Sequence, residues 1–185
     1  LTSEVMVSDP CYTDPTWCQI KLNQVLPGNY FTRCKKDLNT GRPSVLIAVH
    51  ESYMGNDLTW REAPGEVGVD SGQAGIFSYD TYRKDSVEMV PAETMYDGSP
   101  FSEFKERFKS GTDKLGEEWY TNVSSYTLST EQWGSYDKGV VSSSGWGDGG
   151  YRCLVAKHKG QIIGIAIDFF METFRNKDLN NIWKD

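Results

Sequence analysis

Three stretches of this chain set an aspartate among residues too small to screen the backbone. They are Ser8-Asp9-Pro10-Cys11-Tyr12, Asp70-Ser71-Gly72-Gln73-Ala74-Gly75 and Gly145-Trp146-Gly147-Asp148-Gly149-Gly150-Tyr151. Small residues let backbone N–H groups approach a ligand closely, and an aspartate adds a fixed acceptor. Brought to one rim, Asp9, Tyr12, Asp70, Ser71, Gln73, Trp146, Asp148 and Tyr151 would surround a polar cavity. Such a cavity suits a small polar or nucleotide-like molecule, with Trp146 or Tyr151 as a platform for a flat ring. Asp9, Asp70 and Asp148 together would also suit a divalent cation, Mg²⁺ or Ca²⁺, activating water for phosphoester or glycoside hydrolysis. A plainer reading competes with both. Asp bonds its own backbone and Gly accepts positive φ, so each stretch is also ordinary turn chemistry.

Other chemistries find little footing. His50 and His158 lie beside no candidate nucleophile, and no G-x-S-x-G elbow surrounds Ser71, Ser142, Ser143 or Ser144. The Gly145-x-Gly147-x-Gly149 spacing has no following helix, and Asp148 would repel a bare phosphate, so it is no dinucleotide fingerprint. Cys11, Cys18, Cys34 and Cys153 lack paired metal-ligand spacing and read as reduced, structural thiols. His158, beside the Lys159-Gly160 turn, reads as exposed. No residue is assigned a catalytic role, and no metal ligand set is assigned. The sequon Asn122-Val123-Ser124 matters only in a eukaryotic secretory setting.

Length and charge narrow the class. A chain of 185 residues is enough for one domain, taken as 1–185, and too short for two ordinary ones. A net charge of −7 argues against nucleic-acid binding, which draws on clustered Lys and Arg. No apolar run is long enough for a membrane-spanning helix, and the expected partner is a small polar molecule in the cytoplasm. An acidic chain with many aromatics also suits a protein–protein module serving a basic partner.

The elements that must position these residues are mostly strands. "EVMVSDPCY" alternates at Val5 and Val7 and then meets Asp-Pro, which ends a central strand. "PGNYFTRCKKD", "RPSVLIAVHESY", the two halves of "EVGVDSGQAGIFSYDTY", "KGVVSSS", "YRCLVAKH" and "QIIGIAIDFF" read as further strands. Lys159-Gly160 turns between the last two, and SGWGDGG joins the two before. One helix is predicted in "SPFSEFKERFKSG", with Ser99 as N-cap, Pro100 first and Gly111 past its end. Phe101, Phe104 and Phe108 would dock it on a sheet. A weaker helix is expected around "METFRNKDLNNIWKD". The expected fold is β-rich α+β: a curled antiparallel sheet or barrel-like sandwich with one packed helix.

"VSDPCY" with "WC" and "LPGNY", then "GVDSGQAGIF", then "VVSSSGWGDGGY" before a closing apolar strand, resemble a recurrent protein of bacteria and their phages. The later part is similar to the family called domain of unknown function 4241, which carries GVD-type and SGWGDG-type motifs. The resemblance implies a shared fold and a prokaryotic or phage origin, and it brings no activity. A phage setting would make sequestration of a host immune signal one form of ligand binding.

Overall fold

The computed structural model describes residues 1–108, 116–170 and 176–184. The strand signals resolve into two five-stranded antiparallel sheets. One contains β1 (Glu4–Ser8), β2 (Ile20–Asn23), β6 (Gln73–Ser78), β7 (Trp133–Tyr136) and β8 (Gly139–Ser143), in the order β2-β1-β6-β8-β7. The other contains β3 (Tyr30–Lys36), β4 (Pro43–His50), β5 (Trp60–Val69), β9 (Gly149–His158) and β10 (Gln161–Asp168), in the order β3-β4-β10-β9-β5. The β-rich α+β class expected from sequence holds. Among the described residues the two sheets form the sandwich of that expectation, and no closed barrel is present.

Alternation decides which face goes where. Val5 and Val7 of β1 point between the sheets and meet Leu46, Ile165 and Ile167 from the other layer. Met6, one residue out of phase, faces outward with Phe77 and Val141. The unbroken run of β4 has a different cause, since that strand is covered on both sides. Leu46 and Ala48 face the partner sheet, while Val45, Ile47 and Val49 lie under Leu179 and Ile182. These last two belong to or follow α3 (Asn176–Asn181), within the stretch expected to be helical; residues 171–175 of that expectation lie outside the described residues.

Among the described residues three α-helices stand where one packed helix and a weaker one are expected. The aromatic stripe forms α1 (Phe101–Phe108), with Phe101 buried and Phe104 half-buried against it at 5.9 Å; Gly111 lies outside the described residues. Ser99, the expected cap, donates its hydroxyl to Asp97 Oδ1 at 2.6 Å. The principal outer helix is instead α2 (Glu117–Thr127), which the sequence reading passes over. Its sheet-facing side mixes Trp119 and Val123 with buried Thr121, Ser124, Ser125 and Thr127, so no apolar period announces it. Asp85, distant in sequence, caps it by accepting from Gly116 N and Trp119 N at 3.0 and 2.9 Å. Trp119 wedges edge-on against Phe77 and Tyr82 at 5.2 and 5.3 Å, and its burial fixes α2 on the sheet.

Candidate functional site

Strand polarity sends several connections to one end of the sandwich. The loop after β1, the β3–β4 hairpin, the β5–β6 turn and the β8–β9 loop all emerge there. Hydrogen bonds tie them across the two sheets. Ser144 N donates to Gly72 O at 2.9 Å, Gly68 N to Cys18 O at 3.0 Å, and Arg42 Nη1 to Gly145 O at 3.0 Å.

Asp9 is the centre of this network. Its carboxylate is fully buried and accepts from Cys11 N at 2.8 Å, Asp70 N at 2.9 Å, Ser71 N at 2.7 Å and the Ser71 hydroxyl at 2.6 Å. One oxygen receives two backbone amides of the β5–β6 turn, and the other receives an amide and a hydroxyl. Both are occupied, and such charge-assisted bonds are the strong kind. The carbonyl side of the same segment is held by Tyr82, whose hydroxyl lies 3.2 Å from Asp9 O and donates to Tyr12 O at 2.7 Å. Arg83 Nη1 donates to Pro10 O at 2.6 Å, and its guanidinium lies 5.8 Å from the Tyr120 ring.

Around the clamp stand groups with chemistry of their own. Burial, followed by the Asp9 charge, pushes the Cys11 thiol up to about 12. A thiol so protonated near neutrality is no activated nucleophile. Burial, and then the nearby Asp70 carboxylate, push the Tyr12 phenol up as well, so it remains a neutral donor. Burial raises Tyr120 too, opposed by the Ser71 hydroxyl. Gln73 is buried and fully engaged. It donates to Ser124 Oγ at 3.1 Å and Tyr120 OH at 3.3 Å, and accepts from Thr127 Oγ1 at 2.9 Å.

The eight residues singled out from sequence therefore separate into three groups. Asp9, Tyr12, Asp70 and Ser71 meet at the clamp, and Gln73 joins it through Tyr120. Asp148 reaches the same rim by register: Val69 pairs with Gly149, so Asp70 and Asp148 leave the sheet side by side, both exposed. Trp146 and Tyr151 serve their own loop. The Trp146 ring stacks on Phe170 at 5.1 Å with the Arg42 guanidinium 5.1 Å from it, and it stays 56% exposed. Tyr151 is buried, meets Phe169 edge-on at 5.3 Å, and donates its hydroxyl to Gly147 O at 2.8 Å. It braces the loop from below and offers no ring platform.

The glycines of that loop differ in purpose. Gly145 has φ +69°, and a Cβ there would come within 2.5 Å of Pro43 O. Gly147 has φ +91° and open space where its Cβ would be. The first is required for packing and conformation, the second for conformation alone.

Sequence reasoning missed Cys11, Tyr82, Arg83 and Tyr120 around the clamp, and Asp85 at the cap of α2. It also missed the ion pair between Arg152 and the fully buried Asp168, on two strands whose charged residues went unremarked. The charged ends of "YRCLVAKH" and "QIIGIAIDFF" are the signal that was available. His50 is buried and accepts from Ser52 N at 3.2 Å, with Tyr30 edge-on at 5.2 Å, a packing role; His158 is exposed, as expected. Among the described residues no three His, Cys, Asp or Glu side chains group as a metal ion would need. None of the helices is long and apolar enough to cross a membrane, among the described residues. No protein-family model, curated protein or solved structure matches the chain.

Proposed function

We propose that this loop end binds a small polar molecule, with the Asp70 and Asp148 carboxylates and the Tyr12 hydroxyl as its polar contacts. The observation that carries the reading is the Asp9 clamp, which draws loops distant in sequence into one fixed rim. A rim already held by buried hydrogen bonds loses little conformational freedom when a ligand arrives. Asp9 has both oxygens occupied internally, which favours binding over cation-dependent hydrolysis by three aspartates. Paired exposed carboxylates suit ligand N–H groups, such as the amino edge of a nucleobase, and Arg42 beside Trp146 supplies a nearby positive charge. The motif likeness to phage proteins extends the proposal to sequestration of a nucleotide-like host signal.

Thermal-shift and calorimetric titration against free bases and mono-, di- and cyclic nucleotides tests this. At least one compound should raise the melting temperature of the native chain and lose its effect in the Asp70→Asn, Asp148→Asn double variant. Silence across the set at millimolar concentration, or a shift that survives the double substitution, would sink the proposal.

A further inference from the structure

The loop end that holds Asp70 and Asp148 also holds an arginine that no carboxylate among the described residues pairs with. Arg42 is exposed at the β3–β4 hairpin, where its Nη1 donates to Gly145 O at 3.0 Å and its guanidinium lies 5.1 Å from the Trp146 ring. Both contacts hold the group at the rim and leave its charge uncancelled. The acids of this corner are engaged otherwise. Glu131 meets Lys36 at 3.6 Å, and Asp37 is turned into its own hairpin, accepting from Asn39 N at 3.1 Å and from Thr40 N and Oγ1 at 2.8 and 2.9 Å. Lys35 and Lys36 close β3 beside them, so the corner keeps a positive excess on a chain of net charge −7.

Cation and acids stand at opposite ends of one row. Their sheet runs β3-β4-β10-β9-β5, and Val45, Asp168, Arg152 and Glu66 are successive cross-strand partners on β4, β10, β9 and β5. Arg42 precedes β4, Phe170 follows β10, Asp148 precedes β9 and Asp70 follows β5, so all four leave the sheet at the same end and in that order. At about 4.8 Å per strand, the backbone at Arg42 lies about 10 Å from Asp148 and about 14 Å from Asp70. Trp146, stacked on Phe170 and 56% exposed, falls between the cation and the acids. A molecule that reaches both ends must turn its negative charge toward Arg42 and its N–H groups toward the aspartates, because the reverse order sets like charges together. An α-amino acid, with its two charged groups about 2.5 Å apart, is too short. A nucleoside 5′-monophosphate sets ribose and base between its phosphate and its exocyclic amino group, a span on the order of 10 Å.

Resting on the small-molecule reading of this rim, we propose that its ligand is a nucleoside 5′-monophosphate, held with its phosphate on Arg42 and the amino edge of its base on Asp70 and Asp148. Arg42 then determines specificity for the phosphorylated form. With Nη1 taken by Gly145, Nε and Nη2 are its donors for a phosphate. The test is calorimetric titration of the native chain, at low and high salt, with adenosine, guanosine and cytidine, with the 5′-monophosphate of each, and with inorganic phosphate. For at least one base the monophosphate should bind about tenfold or more tighter than its nucleoside, the size of one charge-assisted contact, and that margin should narrow as salt rises. Arg42→Gln should lower monophosphate affinity about tenfold more than nucleoside affinity, while Arg42→Lys should keep part of the margin. A nucleoside that binds as tightly as its monophosphate would overturn the proposal and leave the small-molecule reading standing. So would a margin that survives Arg42→Gln, or inorganic phosphate binding as tightly as the monophosphate. Silence from every compound would overturn the proposal and the small-molecule reading together. The comparison on the native chain needs no variant, so it decides the matter even where Arg42→Gln loosens the bond to Gly145.

Discussion

Asp9 and Asp148 look alike in sequence, each an aspartate in a loop of small residues after or before a strand. The fold treats them oppositely. Asp9 is fully buried, with two backbone amides of a distant turn, one local amide and one hydroxyl on its carboxylate. Asp148 is exposed and stands beside Asp70 at the rim. The lesson is that a carboxylate in a loop is defined by its donors. The one that builds the rim has both oxygens filled from within, while Asp148 faces water.

That contrast can be broken by substitution. Asp9→Ala should have the largest effect, a loss of about 3–5 kcal/mol in urea unfolding, because several buried donors lose a charged acceptor together. A loss under about 1 kcal/mol would mean that the loops hold without the clamp. Gly145→Ala comes next, at about 2–4 kcal/mol, since it combines a left-handed backbone with a collision at Pro43 O. Gly147→Ala should cost only about 1 kcal/mol, for its backbone alone. Equal costs at the two glycines would remove the distinction between packing and turning.

Alkaline pH probes the buried side of the comparison more gently. The folded Cys11 thiol sits at about 12 against an ordinary 9.0. The folded state therefore holds its proton more tightly than the unfolded chain, so stability is full below pH 9 and declines as pH climbs toward 12. Cys34 and Cys153, raised to about 12 by burial, act in the same direction. In Cys11→Ser the decline should become shallower; an unchanged slope would place the cause elsewhere. Smallest of all is Asp148→Ala. It should change stability by about 0.5 kcal/mol or less, and in the stabilising direction, by relieving repulsion with Asp70. Clear destabilisation would return Asp148 to the role of a turn residue.

How far the sequence reaches varies with the kind of interaction. Strands with a strict two-residue period, such as the one through Val5 and Val7, were legible because a face buried on one side leaves a local pattern. The unbroken run Val45 to Val49 was legible as a strand covered twice. α2 was not, because its inner face is half polar and its hydroxyls pair with Gln73 on β6, a partner dozens of residues away. Its cap, Asp85, is likewise remote. The motif loops were recognisable as a group through their aspartates and glycines, yet nothing local distinguished Trp146, backed by Phe170, from an open ring platform.

By itself the sequence determined the β-rich class, most strand positions, the turns at Lys159-Gly160 and SGWGDGG, and the three aspartate loops as a set. These depend on periodicity and backbone preference, which act between neighbours. Only the tertiary structure decided that there are two sheets, that α2 covers one of them, that Asp9 is a buried clamp and Asp148 a free rim charge, and that Trp17 is left in water. Each of these depends on which donor or apolar surface arrives from far along the chain, and burial is a property of that meeting, not of the residue.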